Sequence, residues 1–258
     1  MAIVIVNPAS ASGSTGEAWA QIASDLRSQF GSFQVLFTKS RGEAGILAGE
    51  AARKGAKFII ACGGDGTVSE VANGILSSGK DVELGILPSG TGGDFRRTLE
   101  IPSQTRDAAR VLRTGRTVRI DVGRVSYIDH DRNEAMRFFL GVASCGMSTK
   151  VIERVKAGVP DWVPANTPKW IGGRISFGAS LLQTAMRTTP TRLVVQLDDS
   201  HERNLLVSNL CIANARYFGG GMKIAPDAKL TDGKFDVVGV GDGDQVAHSG
   251  SVSIVAAS

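Results

Sequence analysis

Four times in its N-terminal half, the chain repeats a local pattern that few folds accept: a short apolar run, a polar turn with a helix-start signature, then a helical stretch. Ile3 to Val6 leads to Ser14-Thr-Gly-Glu17, and Val35 to Phe37 leads to Ser40-Arg-Gly-Glu43. Phe58 to Ala61 leads to Thr67-Val-Ser-Glu70, and Leu84 to Leu87 leads to Thr91-Gly-Gly-Asp94. Trp19, Ile22, Ala23, Leu26 and Phe30 follow the 3.6-residue period of an amphipathic helix. Short strands alternating with helices across brief connections predict βαβ units and a parallel sheet. All strands of such a sheet point one way, so the four turns gather along one edge, where ligands of open α/β sheets bind.

The third turn is the richest in chemistry. Residues 62 to 74 read Cys-Gly-Gly-Asp-Gly-Thr-Val-Ser-Glu-Val-Ala-Asn-Gly. Gly63, Gly64 and Gly66 let the backbone approach a ligand closely with N–H groups turned outward, and the helix that follows presents its positive end to an anion. Asp65 in the same turn is placed to hold Mg²⁺ or orient a phosphoryl acceptor. The residues alone admit a plainer reading, because Thr67 and Glu70 form a Thr-x-x-Glu capping box that would start a helix with or without a ligand.

From about residue 115 the pattern changes. Val118, Ile120, Val122 and Val125 nearly alternate with polar residues, and apolar runs at Phe138 to Ala143, Leu193 to Leu197, Leu205 to Ala213 and Phe235 to Val240 continue as strands. One long helix is expected over about Lys169 to Met186. The expected organisation is an α/β domain over 1–114 and a β-rich domain over 115–258, with a cleft between them. A chain of 258 residues is long enough for each to bury a core.

Three cysteines, Cys62, Cys145 and Cys211, include no CxxC pair and suggest reduced thiols, which with no basic n-region and no run of membrane-spanning length predicts a cytoplasmic protein. The formal charge of +4 is mild, yet Arg96, Arg97, Arg106, Arg110, Arg113, Arg116, Arg119 and Arg124 crowd one segment. Such a cluster suits anionic lipid, a polyphosphate or simply a solvated helix face. Nucleic acid is not an expected partner, since no recognised module or interleaved aromatics accompany the arginines. The first strand leads into Asn-Pro-Ala-Ser rather than G-x-G-x-x-G, and no G-x-x-x-x-G-K-[ST] occurs, which disfavours a nicotinamide dehydrogenase and a P-loop NTPase.

Taken in order, these segments resemble the bacterial diacylglycerol and related lipid kinases, cousins of sphingosine kinase in the wider NAD kinase superfamily. Asn7-Pro8 with Ser12-Gly13 is similar to the family's first nucleotide loop, and Thr38 to the threonine after its second strand. Gly63-Gly64-Asp65-Gly66-Thr67 matches its signature, and Leu87-Pro88-Ser89-Gly90-Thr91 its second glycine loop. Gly172 to Phe177 and Phe218 to Pro226 are similar to segments of its C-terminal β domain, and Ala228 to Gly233 to its structural magnesium loop.

The resemblance implies that the domain over 1–114 is nucleotide-binding and that over 115–258 a β-sandwich-like lipid-acceptor domain, with ATP and Mg²⁺ as cofactors and transfer of the γ-phosphoryl group to a lipid hydroxyl such as diacylglycerol. It implies nucleotide contacts at Asn7, Pro8, Ser10, Ser12, Gly13, Thr38, Gly63, Gly64, Asp65, Gly66, Thr67, Glu70, Gly90 and Thr91. Asp65 is the implied catalytic carboxylate, and Asp232, with the backbone carbonyls of Lys229 and Lys234, is the implied ligand set of a second metal. The expected partner is a lipid substrate at a membrane surface, with peripheral association at the inner membrane face, and an edge strand would allow a homodimer.

Three departures matter. Many members carry asparagine where this chain has Ser69 and Gly93. The family places a catalytic Asp-Gly-Glu motif well beyond Asp232, and none follows here. The general base is therefore unassigned, with Asp242 and Asp244 candidates by proximity, and the β-rich domain is expected to be C-terminally incomplete. The proline-rich stretch from Val159 to Trp170 offers Trp162 and Trp170 as an interfacial lip or as the packing of a stiff loop. A truncated or non-catalytic binder of nucleotide or lipid, and a kinase of a soluble acceptor, remain as alternatives.

Overall fold

The computed structural model describes residues 1–90, 92–146, 190–198, 201–241, 246–249 and 252–256. The expected helix over Lys169 to Met186, the segment Gly172 to Phe177, the Trp162 and Trp170 stretch, Thr91, Asp242 and Asp244 lie outside them. The chain divides into two units, Met1–Leu140 and Gly141–Ser258.

In the first unit each of the four apolar runs forms a strand: β1 (Ala2–Val6), β2 (Phe33–Phe37), β3 (Phe58–Gly63) and β4 (Glu83–Pro88). They pair in parallel in the order β2-β1-β3-β4. Val4 faces Val35 on one side and Ile60 on the other. Because β1 lies between β2 and β3, the chain leaves it first toward one side of the sheet and then toward the other. That reversal opens a crevice at the C-terminal ends of β1 and β3, the usual ligand position in such sheets.

Six helices connect and cover these strands: α1 (Ser14–Glu17), α2 (Trp19–Gln29), α3 (Glu43–Arg53), α4 (Asp65–Ser77), α5 (Asp94–Thr98) and α6 (Thr105–Thr114). Val4, Val6, Ile60, Cys62 and Leu87 project to one face and pack with Ile22 and Leu26 of α2 and Ala108 and Ala109 of α6. Burying a leucine such as Leu26 contributes roughly 1.5–3 kcal/mol. Ile5, Ile59 and Ala61 alternate to the other face, where α3 and α4 lie, and the unbroken apolar strands follow from cover on both sides.

The α3–α4 pair packs through small residues. A Cβ on Gly74 would fall 2.1 Å from the Gly45 carbonyl oxygen and 3.0 Å from the Ala48 Cβ. The buried face of α3, with Ala44, Ala48, Ala51 and Ala52, keeps the backbones this close.

Residues 116–122, expected to begin the second domain as a strand, take no regular structure and are largely exposed. A hairpin follows, β5 (Gly123–Ile128) with β6 (Glu134–Phe139), and it falls in the first unit. Asn73 of α4 explains why: its amide nitrogen donates to the Phe138 carbonyl and its amide oxygen accepts the Phe138 N–H, both at 2.9 Å. One side chain thereby acts as a neighbouring strand to the edge of β6. The observed division thus lies near residue 140, some 26 residues beyond the boundary at 114 read from the pattern.

The second unit is built on antiparallel strands: β7 (Val142–Gly146), β8 (Thr191–Leu197), β9 (Arg203–Ala213), β12 (Lys234–Gly241), β13 (Val246–Ser249) and β14 (Val252–Ala256), with a small pair β10 (Tyr217–Phe218) and β11 (Met222–Lys223). The large sheet runs β13-β12-β9-β8-β14. Long β9 pairs with β8 over its first half and with β7 over its second, on one edge, and with β12 on the other. Leu210 and Val237 belong to one apolar cluster and their neighbours Cys211 and Val238 to another, so both faces of this sheet are covered, as a sandwich requires. Among the described residues no helix is long and apolar enough to cross a membrane.

Candidate active site

The loops after β1, β3 and β4 meet at the crevice. The Asn7 N–H continues the sheet by donating to the Cys62 carbonyl, and the Ser89 N–H does the same to Gly63, both at 3.0 Å. Beyond these bonds the strands give way to side-chain ties. Asn7 Nδ2 donates to Thr67 Oγ1 at 3.1 Å, and Asn7 Oδ1 accepts the Ala9 N–H, folding the first loop back on itself. Ser10 Oγ donates to the Asn7 carbonyl at 2.8 Å and lies 2.6 Å from Thr15 Oγ1. Thr15, buried at the start of α1, reaches the Ser89 hydroxyl and carbonyl, both at 2.7 Å. This hydroxyl knot of Ser10, Thr15 and Ser89 fastens the first loop to the fourth.

Two glycine loops touch here without side chains between them. A Cβ on Gly90 would come within 2.5 Å of the Gly64 Cα, so the approach requires glycine. Gly66 lies exposed, with open space where a side chain would project. In the first loop Ala11 and Ser12 hold φ of 51° and 57°, and Gly13 follows at 92°. Two non-glycine residues in the left-handed region are costly, and such strain clusters at ligand sites.

Asp65 is the first residue of α4, after Gly64 at the N-cap. Its two carboxylate oxygens accept the N–H groups of Asp94 and Phe95, at 3.0 and 3.1 Å. A residue at the start of one helix therefore caps another. Each oxygen keeps further acceptor capacity, so the carboxylate is held rigidly while still able to meet a cation. Arg97 closes the same turn from outside, donating to the Gly92 carbonyl and pairing with Asp94 at 3.2 Å. Arg96 packs over Gly93, where a Cβ would lie 2.7 Å from its Nε, and donates to the Ile101 carbonyl. Burial, with the charge of Arg97, lowers the Arg96 guanidinium pKa, while Asp65 and Asp94 oppose that shift.

The capping box expected at Thr67 and Glu70 does not form. The helix begins two residues earlier, Thr67 is buried and turned to Asn7, and Glu70 Oε1 accepts the Gly42 N–H at 3.0 Å. That contact ties the loop after β2 to α4. Glu43 does reach back, accepting the N–H groups of Lys39 and Ser40. Thr38 is buried, and its N–H extends the β2–β1 pairing to the Val6 carbonyl at 2.9 Å. Pro8 contributes a carbonyl that accepts the Gly16 N–H at 3.1 Å. Cys62 forms part of the apolar floor, its thiol pushed up to about 12 by burial and so unreactive at neutral pH.

The crevice therefore assembles Asn7, Ser10, Gly64, Asp65, Thr67 and Gly90. Of its other supports, Ser89 lies in the second glycine loop read from the sequence, while Thr15, Asp94 and Arg97 are not among the site residues read from it. Asp94 had a signal in the Thr-Gly-Gly-Asp turn; Thr15 had none, because its partner is 74 residues away.

Asp232, Lys229 and Lys234 belong to the second unit. Asp232 Oδ1 accepts the Lys234 N–H at 3.2 Å, and Gly233 takes a φ of 69°, the geometry of a tight Asx turn. Burial raises the Asp236 carboxyl, and the charges of Asp232 and Asp227 add to the shift. Among the described residues no three His, Cys, Asp or Glu side chains converge as a metal cage. Hard cations such as Mg²⁺ are commonly held by one or two carboxylates together with water and substrate phosphates. The rigid Asp65 carboxylate beside the close contact of Gly64 and Gly90 has the chemistry of one such ligand.

Residues 1–125 match the diacylglycerol kinase catalytic domain, and residues 153–249 match the YegS C-terminal NAD kinase beta sandwich-like domain. The chain is 32% identical over 199 residues to a diacylglycerol kinase of Mycobacterium tuberculosis (strain ATCC 25618 / H37Rv), covering 76% of this chain and 58% of that protein. It is 30% identical over 209 residues to a protein of Klebsiella pneumoniae (strain 342) named probable lipid kinase YegS-like, covering 81% of this chain and 64% of that protein. It thus spans about three fifths of the length of these curated relatives. A solved diacylglycerol kinase structure from Bacillus anthracis str. Sterne superposes with a TM-score of 0.68 at 25% identity, over 93% of this chain and 72% of that one.

Proposed function

The chain belongs to the family of diacylglycerol kinases and YegS-like lipid kinases, and from that membership we propose that it transfers the γ-phosphoryl group of ATP to a lipid hydroxyl of the diacylglycerol class. The observation that carries the reading is Asp65, fixed by two backbone N–H groups beside the Gly64–Gly90 contact. Phosphoryl transfer asks little covalent chemistry of a protein and much positioning and charge neutralisation. The N–H groups of the loops around Asn7–Gly13 and Gly63–Thr67 hold the phosphates in this reading, with the start of α4 adding its dipole. Bound with the nucleotide, Mg²⁺ supplies the neutralisation of phosphate charge, and Asp65 is the residue that would hold it. The Asp65 carboxylate stays ordered because Asp94 and Phe95 hold it, so it orients its ligand without reorganising.

The test is phosphoryl transfer from labelled ATP to a panel of lipids in mixed micelles. Wild type is expected to phosphorylate a diacylglycerol-class lipid. Asp65→Asn, which keeps one capping oxygen, is expected to melt near wild type and lose transfer by at least ~100-fold, the scale of one removed electrostatic contact. Unchanged turnover in Asp65→Asn removes Asp65 from the chemistry. ATP binding without transfer to any lipid turns the reading toward a nucleotide binder, and transfer to a soluble acceptor without lipid turns it toward a soluble-substrate kinase.

A further inference from the structure

The chain's excess positive charge lies in one stretch. Residues 96–124 hold eight arginines against Glu100, Asp107 and Asp121, a net +5 in a chain whose formal charge is +4. Arg96 and Arg97 turn inward to backbone carbonyls and Asp94. The other six are all exposed. Arg106, Arg110 and Arg113 recur at i, i+4 and i+7 and so share one face of α6, while Ala108, Ala109 and Leu112 pack on the core from a different face. Arg116 and Arg119 follow in the exposed irregular segment after α6, and Arg124 in β5. Arg110 pairs with Asp107 and Arg119 with Asp81, both in exposed contacts that hold weakly. Among the described residues no ion pair engages Arg106, Arg113, Arg116 or Arg124.

Arg113, Arg116 and Arg119 lie away from the phosphate loops. A Cβ on Gly85 would lie 2.7 Å from Leu112, so the C-terminal half of α6 covers the beginning of β4. Arg119 lies 3.6 Å from Asp81, which precedes that strand. The six residues of β4 separate this end from the Ser89 loop by about 20 Å. This part of the basic surface is therefore separate from the phosphate loops.

We propose that this arginine face seats the first unit on an anionic lipid bilayer. The proposal rests on the lipid-kinase reading, which puts the acceptor in a membrane. The charge is spread along a helix flank, which suits a diffuse negative surface. Val118, 59% exposed, stands between Arg116 and Arg119 in the chain and offers apolar contact just below the headgroups. No aromatic residue occurs between 103 and 126, so the stacking on which single-stranded nucleic-acid binding relies is not provided.

Flotation of the full chain with vesicles tests this, with neither ATP nor diacylglycerol present. Wild type is expected to float with vesicles of 30% phosphatidylglycerol in phosphatidylcholine, to be released at high salt, and not to bind pure phosphatidylcholine. Each arginine near such a surface is worth about fivefold in partition, so Arg106→Gln, Arg113→Gln and Arg116→Gln together should weaken binding roughly 100-fold. The corresponding triple lysine variant should float like wild type, and all three proteins should bind ATP equally. Equal flotation of the glutamine variant, no flotation of wild type, or binding to RNA in place of vesicles overturns the proposal. Since no transfer is measured, that failure leaves the kinase reading standing, and a failed transfer assay leaves the flotation result intact.

Discussion

Thr15 shows how much one small side chain can join. Its hydroxyl is shared by Ser10 and Ser89, at the meeting of loops that follow β1 and β4. Thr15→Val keeps the shape and leaves buried polar partners unsatisfied, an expected loss of about 1–3 kcal/mol in a denaturant titration, with weaker nucleotide binding. Gly90→Ala tests the loops from the other side. Its Cβ would collide with the Gly64 backbone, so the loops must part, and a calorimetric titration is expected to show ATP affinity falling by tenfold or more. Cys62 carries a pH prediction. Burial raises its pKa from 9.0 to about 12, so the folded state holds the proton more tightly than the unfolded one. The stabilisation is fully present below about pH 9 and is lost as pH rises toward about 12. Between these limits wild-type stability should fall more steeply with pH than that of Cys62→Ala, compared by urea midpoints; parallel slopes would contradict the burial argument.

At the level of elements, two contacts decide how α4 is used. Its Gly74 meets Gly45 of α3, where even a methyl group would fall 2.1 Å from a carbonyl oxygen. Gly74→Ala should therefore cost about 1–3 kcal/mol through overpacking, although alanine is the better helix former. Its Asn73 holds the edge of β6 through both amide atoms. Asn73→Ala should release the β5–β6 hairpin, read as faster hydrogen exchange at the Phe138 amide with little change in the β1–β4 strands. A two-stranded hairpin is marginal alone, so this single side chain carries much of its attachment.

For the whole molecule, the first unit has its own sheet, helices and core, and residues 1–140 expressed alone are expected to unfold cooperatively and to bind ATP; a molten or insoluble product would show that its core depends on the remainder. The alternation of apolar runs and helical periods by itself determined the four strands, α2 and the parallel α/β class, because those features rest on contacts within a few residues and on the pleat and helix periods. It also located Gly63 to Thr67 at the strand-to-helix turn. Only the tertiary structure decided that β1 lies between β2 and β3, that Asp65 caps α5 rather than its own helix alone, that Glu70 serves the Gly42 turn, and that the hairpin after residue 122 joins the first unit. The reason is distance along the chain: Asp65 and Phe95, Thr15 and Ser89, and Asn73 and Phe138 are 30, 74 and 65 residues apart. No local period encodes such pairs; they exist once the sheet has closed and brought its loop-bearing edge together.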